Sequence, residues 1–504
     1  MTTSEDRVPG GTAVGAAPSA NPKRWTALVF ICLAQLMVVL DITIVNVALP
    51  ELQADLGFSN ENRQWVVTSY TLAFGSLLLL GGRIADYSGR KRAFLIALAG
   101  FAIASSLGGA AGNIELLLTA RALQGVFGAL LAPTALSLIS VNFTDQKERA
   151  KAFSIFGSIV ASGAVIGLLL GGFLTEYMDW RWCMYVNAPI ALIAAFGVLY
   201  LGPEVRAAVR ARFDIPGVLL VTSGLVAIVY ACSEAESEGW GSGLVIGLFV
   251  TGAVLLSVFL AVEARSSHPL LPLRVIADRT RGSAYLAMAV GMIAMLGALF
   301  FLTFYLQLVK GYSPVETGLA FLPMPVGVGM FAGGLSPKIL PKVPPRAMVV
   351  PGMIIAASAL FWLAALEADS SYWAMVMPAL FVLGAGMGLL IAPSVNYATY
   401  RVADEDAGVA SGTVNTAQQI GGSIGVALLS TLAADAAGES LAEQGAQAKD
   451  PAVVQAAMVE GFTTAFTWAG AIMACGAVIL AALMNAPKPA PGEASHGSPM
   501  AHLG

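Results

Sequence analysis

Residues 26–48 read TALVFICLAQLMVVLDITIVNVA, an apolar run interrupted by a single charge, Asp41. About 20 residues at 1.5 Å rise each cross the hydrocarbon core of a bilayer, so this run is long enough for a membrane-spanning helix. It is too long for a signal-peptide core and carries no cleavage pattern. Thirteen more such runs follow, at 64–82, 93–111, 115–139, 152–176, 184–203, 216–233, 243–262, 283–307, 317–338, 347–366, 373–393, 407–432 and 462–485. Over 504 residues the chain is 57% hydrophobic and 12% charged, with a mean hydropathy of +0.76, whereas soluble domains carry about 25% charged residues. The fold class is therefore an all-α membrane protein of fourteen transmembrane helices. Collagen, disorder and disulfide scaffolds are excluded.

Cytoplasmic loops keep an excess of Lys and Arg. With the amino terminus inside, 22 of the 27 basic residues face the cytoplasm. Arg63, Arg181, Lys310 and Lys449 fall outside, and Arg121 lies within the fourth span. This sorting predicts a multi-pass protein of a bacterial cell (inner) membrane with both termini cytoplasmic. The Ala and Gly richness fits such a source.

The chain also repeats itself. Gly128-Ala129-Leu130-Leu131-Ala132-Pro133-Thr134 in span 4 returns as Gly388-Leu389-Leu390-Ile391-Ala392-Pro393-Ser394 in span 12. Glu148, Ala150 and Ser154 return at nearly the same offset as Glu405, Ala407 and Ser411. A shift of eight spans from a six-span repeat requires two extra spans between the halves. The expected organisation is a flexible cytoplasmic tail at 1–25 and a six-helix bundle at 26–203. A linker and inserted helix pair follow at 204–265, then a second six-helix bundle at 266–485 and a flexible tail at 486–504.

Of the ionisable residues, Asp41 and Arg121 alone lie well inside the spans. A charge at a helix centre costs about 2.5 to 3.5 kcal/mol on insertion scales, so it marks a pathway or a paired site. Counted from the expected span ends, both lie roughly 9 to 11 Å below the outer surface, at matching depth. Burial raises a carboxyl pKa and a neighbouring Arg lowers it, which suits Asp41 to proton exchange as a cavity opens. Gln124 shares the face of Arg121. Asn415, Gln418 and Gln419 form a polar stripe with Ser411 and Gly422 in span 13, and Trp65, Phe301 and Tyr305 supply aromatic surface. Together these are the candidate lining of a small-molecule cavity. Between spans 2 and 3 the chain reads Gly82-Arg83-Ile84-Ala85-Asp86-Tyr87-Ser88-Gly89-Arg90-Lys91-Arg92. Its basic cluster anchors the loop inside, and Asp86 suits a contact with a helix amino terminus or an Arg that holds one state of the molecule.

The Gly82–Arg92 segment resembles the loop motif of the major facilitator superfamily, with Tyr87 where a basic residue is common. Leu40-Asp41-Ile42-Thr43-Ile44-Val45-Asn46-Val47-Ala48-Leu49-Pro50 is similar to the signature of the fourteen-span drug:proton antiporter family. Gln64-Trp65-Val66-Val67-Thr68-Ser69-Tyr70, Arg121-Ala122-Leu123-Gln124-Gly125 and Tyr305-Leu306-Gln307 with Gly311-Tyr312-Ser313-Pro314 extend the resemblance over the whole transmembrane chain. It implies two six-helix bundles plus two helices, and proton-driven efflux of hydrophobic or cationic small molecules by alternating access. In this reading Asp41 and Arg121 couple to protons, and Gly82, Asp86, Gly89 and Arg90 form the conformational-switch loop. Leu168 replaces a proline of the family's Gly-rich fifth span within Gly163–Gly172, which leaves a proton-coupled importer of a small solute as the alternative.

No Gly-Lys dipeptide occurs, so a nucleotide-binding phosphate loop is excluded. His268, His496 and His502 lie in a loop and the carboxyl tail, and Cys32, Cys183, Cys232 and Cys475 are widely spaced. No metal site or cofactor is expected. An intramembrane enzyme is the rival from a different class, and the sequence offers it no second polar partner. The expected partners are a small-molecule substrate, protons and lipid, with no nucleic acid and a chain able to work as a monomer.

Overall fold

The structure is a computed structural model and describes residues 23–143, 145–199, 214–266, 269–340, 342–398, 402, 407–444 and 450–484. Most of both tails, the 200–213 linker, His268 and Glu405 lie outside the described residues, as does the side chain of Asp86. The first helices are α1 (Arg24–Leu56), α2 (Asn60–Ser88), α3 (Arg90–Gly109), α4 (Ile114–Asn142), α5 (Gln146–Tyr177) and α6 (Arg181–Leu199). A hairpin of α7 (Ile215–Glu238) and α8 (Gly243–Arg265) follows. The remainder comprises α9 (Arg279–Val309), α10 (Pro314–Ile339), α11 (Arg346–Leu363), α12 (Tyr372–Ala398), α13 (Ala407–Glu443) and α14 (Pro451–Leu483). Among the described residues there are no strands. Thirteen of these helices are long and apolar enough to cross a membrane, and α2, outside that set, is a continuous helix of 29 residues.

Short polar residues start the helices by accepting hydrogen bonds from the free amides of the first turn. Asn113 caps α4, Asp145 α5, Asp214 α7, Ser242 α8, Asp278 α9 and Asp450 α14. Ser313 and Glu316 form a reciprocal capping box on α10. Several helices outrun their apolar stretches. α1 continues through Pro50 to Leu56, where Gly57 ends it at φ 65°; α13 reaches Glu443, and α14 begins at Pro451. Hydropathy locates the section suited to lipid, whereas helix ends are set by capping and by left-handed glycines, so the expected limits at 48, 432 and 462 fall short.

Packing recurs between the two halves. In the first, α1 packs on α5 and α6, α4 on α2 and α3, and α3 on α6. In the second, α9 packs on α13 and α14, α12 on α10 and α11, and α11 on α14. Pro133 inside α4 has its counterpart in Pro393 inside α12. The halves meet where α2 lies on α13 and α5 on α10, again a reciprocal pair. The hairpin attaches at one of these seams. α7 packs on α13 and α2, while α8 buries only Val245, Gly252, Phe259 and Glu263 among its described residues and turns Val250, Val254 and Val258 outward.

Candidate functional site

α1, α3, α4 and α6 converge on one buried polar centre. Asp41 stands near the middle of the 33-residue α1 and is fully buried. Arg121, in the second turn of α4, donates from Nη1 to Asp41 Oδ2 at 2.6 Å. Gln124, one turn further, donates from Nε2 to Asp41 Oδ1 at 2.8 Å, and Asn187 at the start of α6 donates to the same oxygen at 2.8 Å. Ser105 of α3 closes the cluster, accepting from Gln124 at 2.5 Å and from Asn187 at 2.8 Å. Arg121 is itself held on three sides: Nε donates to the Val66 carbonyl at 3.0 Å, Nη1 to Gln124 Oε1 at 3.0 Å, and its guanidinium lies 4.5 Å from the centre of the Tyr70 ring.

Each polar contact that reaches Asp41 comes from an N–H donor, the surroundings that suit an ionised carboxylate.

The pairing of Asp41, Arg121 and Gln124 follows from sequence depth and helix face. Asn187 and Ser105 are not anticipated by it. Asn187 carried a usable signal, an amide within the expected sixth span, but Ser105 did not, because serine is common wherever membrane helices pack closely. A second acid, Glu263, is 3% exposed, and it sits one residue past the expected end of its span, at the foot of α8.

The other candidates scatter. Trp65 donates from Nε1 to Ser233 Oγ of α7 at 3.0 Å, beside the contact of Gln64 with the same oxygen, and so faces the hairpin. Phe301 is fully buried among Phe300, Phe462 and Phe466, packing α9 on α14. Tyr305 is also buried and donates its hydroxyl to the Glu367 carbonyl at 2.7 Å. In this conformation neither ring is cavity surface. Asn415, Gln418 and Gln419 are half-buried on α13, and Gln419 lies against Gly75 of α2 at the seam between the halves.

At the end of the molecule where α1 finishes, the halves are closed on each other. Gln307 donates to the Val47 carbonyl at 2.9 Å, and the Arg63 guanidinium lies 4.2 Å from the centre of the Phe304 ring. Glu176 accepts from the Val315 amide at 3.0 Å. A Cβ on Gly172 would stand 2.5 Å from the Pro314 carbonyl oxygen, and one on Gly318 would run into that of Leu168, so α5 and α10 touch backbone to backbone. Leu168 is buried in this crossing. At the opposite end, Gly82 lies within α2, Gly89 takes φ 95° between α2 and α3, and Arg90 opens α3. Gly81, beside Gly82, makes the tighter approach, to the backbone of Ala129 in α4.

A multi-span protein of two similarly packed halves, with a carboxylate and a guanidinium sealed among the helices of one half, is built as a membrane transporter. The chain belongs to the Major Facilitator Superfamily, whose family model matches residues 31–426. It is 47% identical over 485 residues to the puromycin resistance protein pur8 of Streptomyces alboniger, covering 96% of each chain. The cephamycin export protein CmcT of Amycolatopsis lactamdurans is 37% identical over 421 residues, 83% of this chain and 87% of that one. The tetracenomycin C resistance and export protein of Streptomyces glaucescens is 32% identical over 459 residues, 90% and 84% respectively. Among solved structures, the inward-facing, unoccupied bacterial homolog of the human lysosomal transporter Spinster matches with TM-score 0.67 at 17% identity, covering 92% of this chain and 98% of that one. The POT family transporter PepTSo matches with TM-score 0.64 at 16% identity, covering 91% and 97%.

Proposed function

We propose that this chain exports a hydrophobic or cationic antibiotic-like molecule from a bacterial cell in exchange for entering protons, with Asp41 as the proton carrier. The observation that carries the reading is the fully buried Asp41 carboxylate held by Arg121, Gln124 and Asn187. Proton arrival at Asp41 releases Arg121 from its ion pair, and the freed guanidinium and amides then rearrange around α1, α3, α4 and α6. The resistance and export proteins named above support export as the direction and puromycin as the first compound to try. The cargo passes through chemically unchanged.

In this reading α2 counts as a crossing, giving fourteen, and both termini are cytoplasmic in the inner membrane. The bundles are 26–203 and 266–485, and the hairpin within 204–265 stands outside them. The closed end is then external, and the molecule faces the cytoplasm. Gly82, Asp86, Gly89 and Arg90 act at the cytoplasmic end as the switch between states. Gln124 serves the proton site, and Asn415, Gln418 and Gln419 are the remaining candidates for cargo contact. A single chain suffices.

Reconstituted vesicles test the direction whatever the orientation of insertion. An antiporter accumulates puromycin in vesicles with an acidic lumen and loses the accumulation when a protonophore is added. Accumulation only in vesicles with an alkaline lumen would instead establish proton-coupled import.

A further inference from the structure

The foot of the α7–α8 hairpin holds a second acid site with no part in the Asp41 network. Glu263, 3% exposed in the last turns of α8, accepts from the Leu271 amide through Oε2 at 3.1 Å, while its Oε1 is buried without a partner. Asp214 caps α7 by accepting from the Gly217 amide through Oδ1 at 2.9 Å, and its Oδ2 is likewise buried without a partner. The two orphaned oxygens converge over the bare face of Gly217. A Cβ there would stand 2.7 Å from Asp214 Oδ2 and 2.9 Å from Glu263 Oε1.

Two ionised carboxylates cannot share a dry site of this size; one proton between them turns the repulsion into an O–H···O hydrogen bond. A metal ion is disfavoured, because backbone N–H groups already point at the outer oxygens of both acids, and among the described residues no group of three or more His, Cys, Asp or Glu forms. The groups acting on Glu263 are Asp214 and the amides of Leu270 and Leu271. Four cations lie on the surrounding elements: Arg265 on α8, Arg83 on α2, and Arg274 and Arg281 beyond the connection. Arg83 donates to the Pro269 carbonyl at 2.7 Å, and Arg281 to the carbonyls of Val275 and Arg274 at 3.1 and 2.9 Å. His268, on the same connection, lies outside the described residues.

We propose that Asp214 and Glu263 bind one proton between them at neutral pH and form a latch. The latch holds the connection from the hairpin to the second half against the foot of α2. The proton comes from cytoplasmic water, sits on one carboxyl and is donated to the other. Glu263 meanwhile holds Leu271, and Arg83 of the switch segment holds Pro269, two residues away. Losing the proton makes both acids anionic, drives them apart and frees residues 269–272. The latch concerns the hairpin alone and does not depend on what the protein transports.

Infrared difference spectroscopy of the purified full chain, titrated from neutral to alkaline pH, reads the proton. Wild type should lose a protonated-carboxyl C=O band. Glu263→Gln and Asp214→Asn should each lack it, and Asp41→Asn should keep it. Hydrogen exchange at the Leu270 and Leu271 amides, corrected for intrinsic rates, reads the latch. It should rise at least tenfold over the same titration in wild type and stay flat in Glu263→Gln, whose amide donates permanently to Asp214. An unchanged band in both folded acid variants overturns the shared proton. An equal rise in wild type and Glu263→Gln overturns the latch.

Discussion

The two halves pack alike yet differ at equivalent levels. Where α1 carries Asp41 and α4 carries Arg121, the positions 260 residues later are Phe301 in α9 and Phe381 in α12. The first half spends its centre on a charged, hydrogen-bonded cluster, and the second fills its own with the rings of Phe300, Phe301, Phe462 and Phe466. A duplicated scaffold thus carries two different centres: one half holds a buried ion pair, and the other an apolar core of packed rings.

The difference should appear first when each centre is broken. Arg121→Ala strands Asp41 without its ion-pair partner, and removal of one member of a buried pair costs about 3 to 5 kcal/mol. Thermal unfolding in detergent should show that loss largely reversed by adding Asp41→Asn, because the double variant has no stranded charge. A double variant no better than Arg121→Ala would place the importance of Arg121 in its contacts with Val66 and Tyr70 instead. Phe301→Ala opens a cavity and should cost about 3 kcal/mol or more. The folded fraction should nevertheless keep its proton coupling, and loss of coupling at normal stability would erase the division of labour between the halves.

Smaller changes sharpen the picture. Asn187→Ala removes a hydrogen bond to a charged acceptor, worth about 1.5 to 3 kcal/mol, and should displace the pH profile of transport as well as weaken the fold. A stability loss with an unmoved profile would make Asn187 a mere brace. Trp65→Phe removes the contact with Ser233 at the hairpin seam and should cost about 0.6 kcal/mol, the average for an interhelical hydrogen bond in a membrane. Its transport should match wild type. A large fall in cargo affinity would return Trp65 to the cavity.

The charged half was the more legible in the sequence, for a physical reason. Asp41 and Arg121 stand out because charge is expensive in hydrocarbon, and their matching depth points to their pairing even though α1 runs past its expected end. An aromatic residue carries no such penalty. Phe301 and Tyr305 read equally well as cavity wall or as core, and only the packing of Phe301 on α14 and the hydrogen bond of the buried Tyr305 to the Glu367 carbonyl decide for core. Trp65 was ambiguous because its partner, Ser233, belongs to the hairpin, whose docking at the α2–α13 seam follows from no local pattern. Glu263 escaped notice because it lies one residue beyond an apolar run, where charge is ordinary; its burial depends on the connection folding back over it.

The central claim rests on the proton at Asp41, and Asp41→Asn tests it most directly because the amide keeps the shape of the acid but does not titrate. The purified variant, shown to be folded, is placed in vesicles loaded with puromycin, and two rates are measured: exchange of labelled for unlabelled compound without a gradient, and net accumulation driven by an acidic lumen. Exchange should continue while gradient-driven accumulation disappears, and Asp41→Glu should retain part of it. Uphill accumulation by well-folded Asp41→Asn protein would contradict the account and move the coupling proton to another acid.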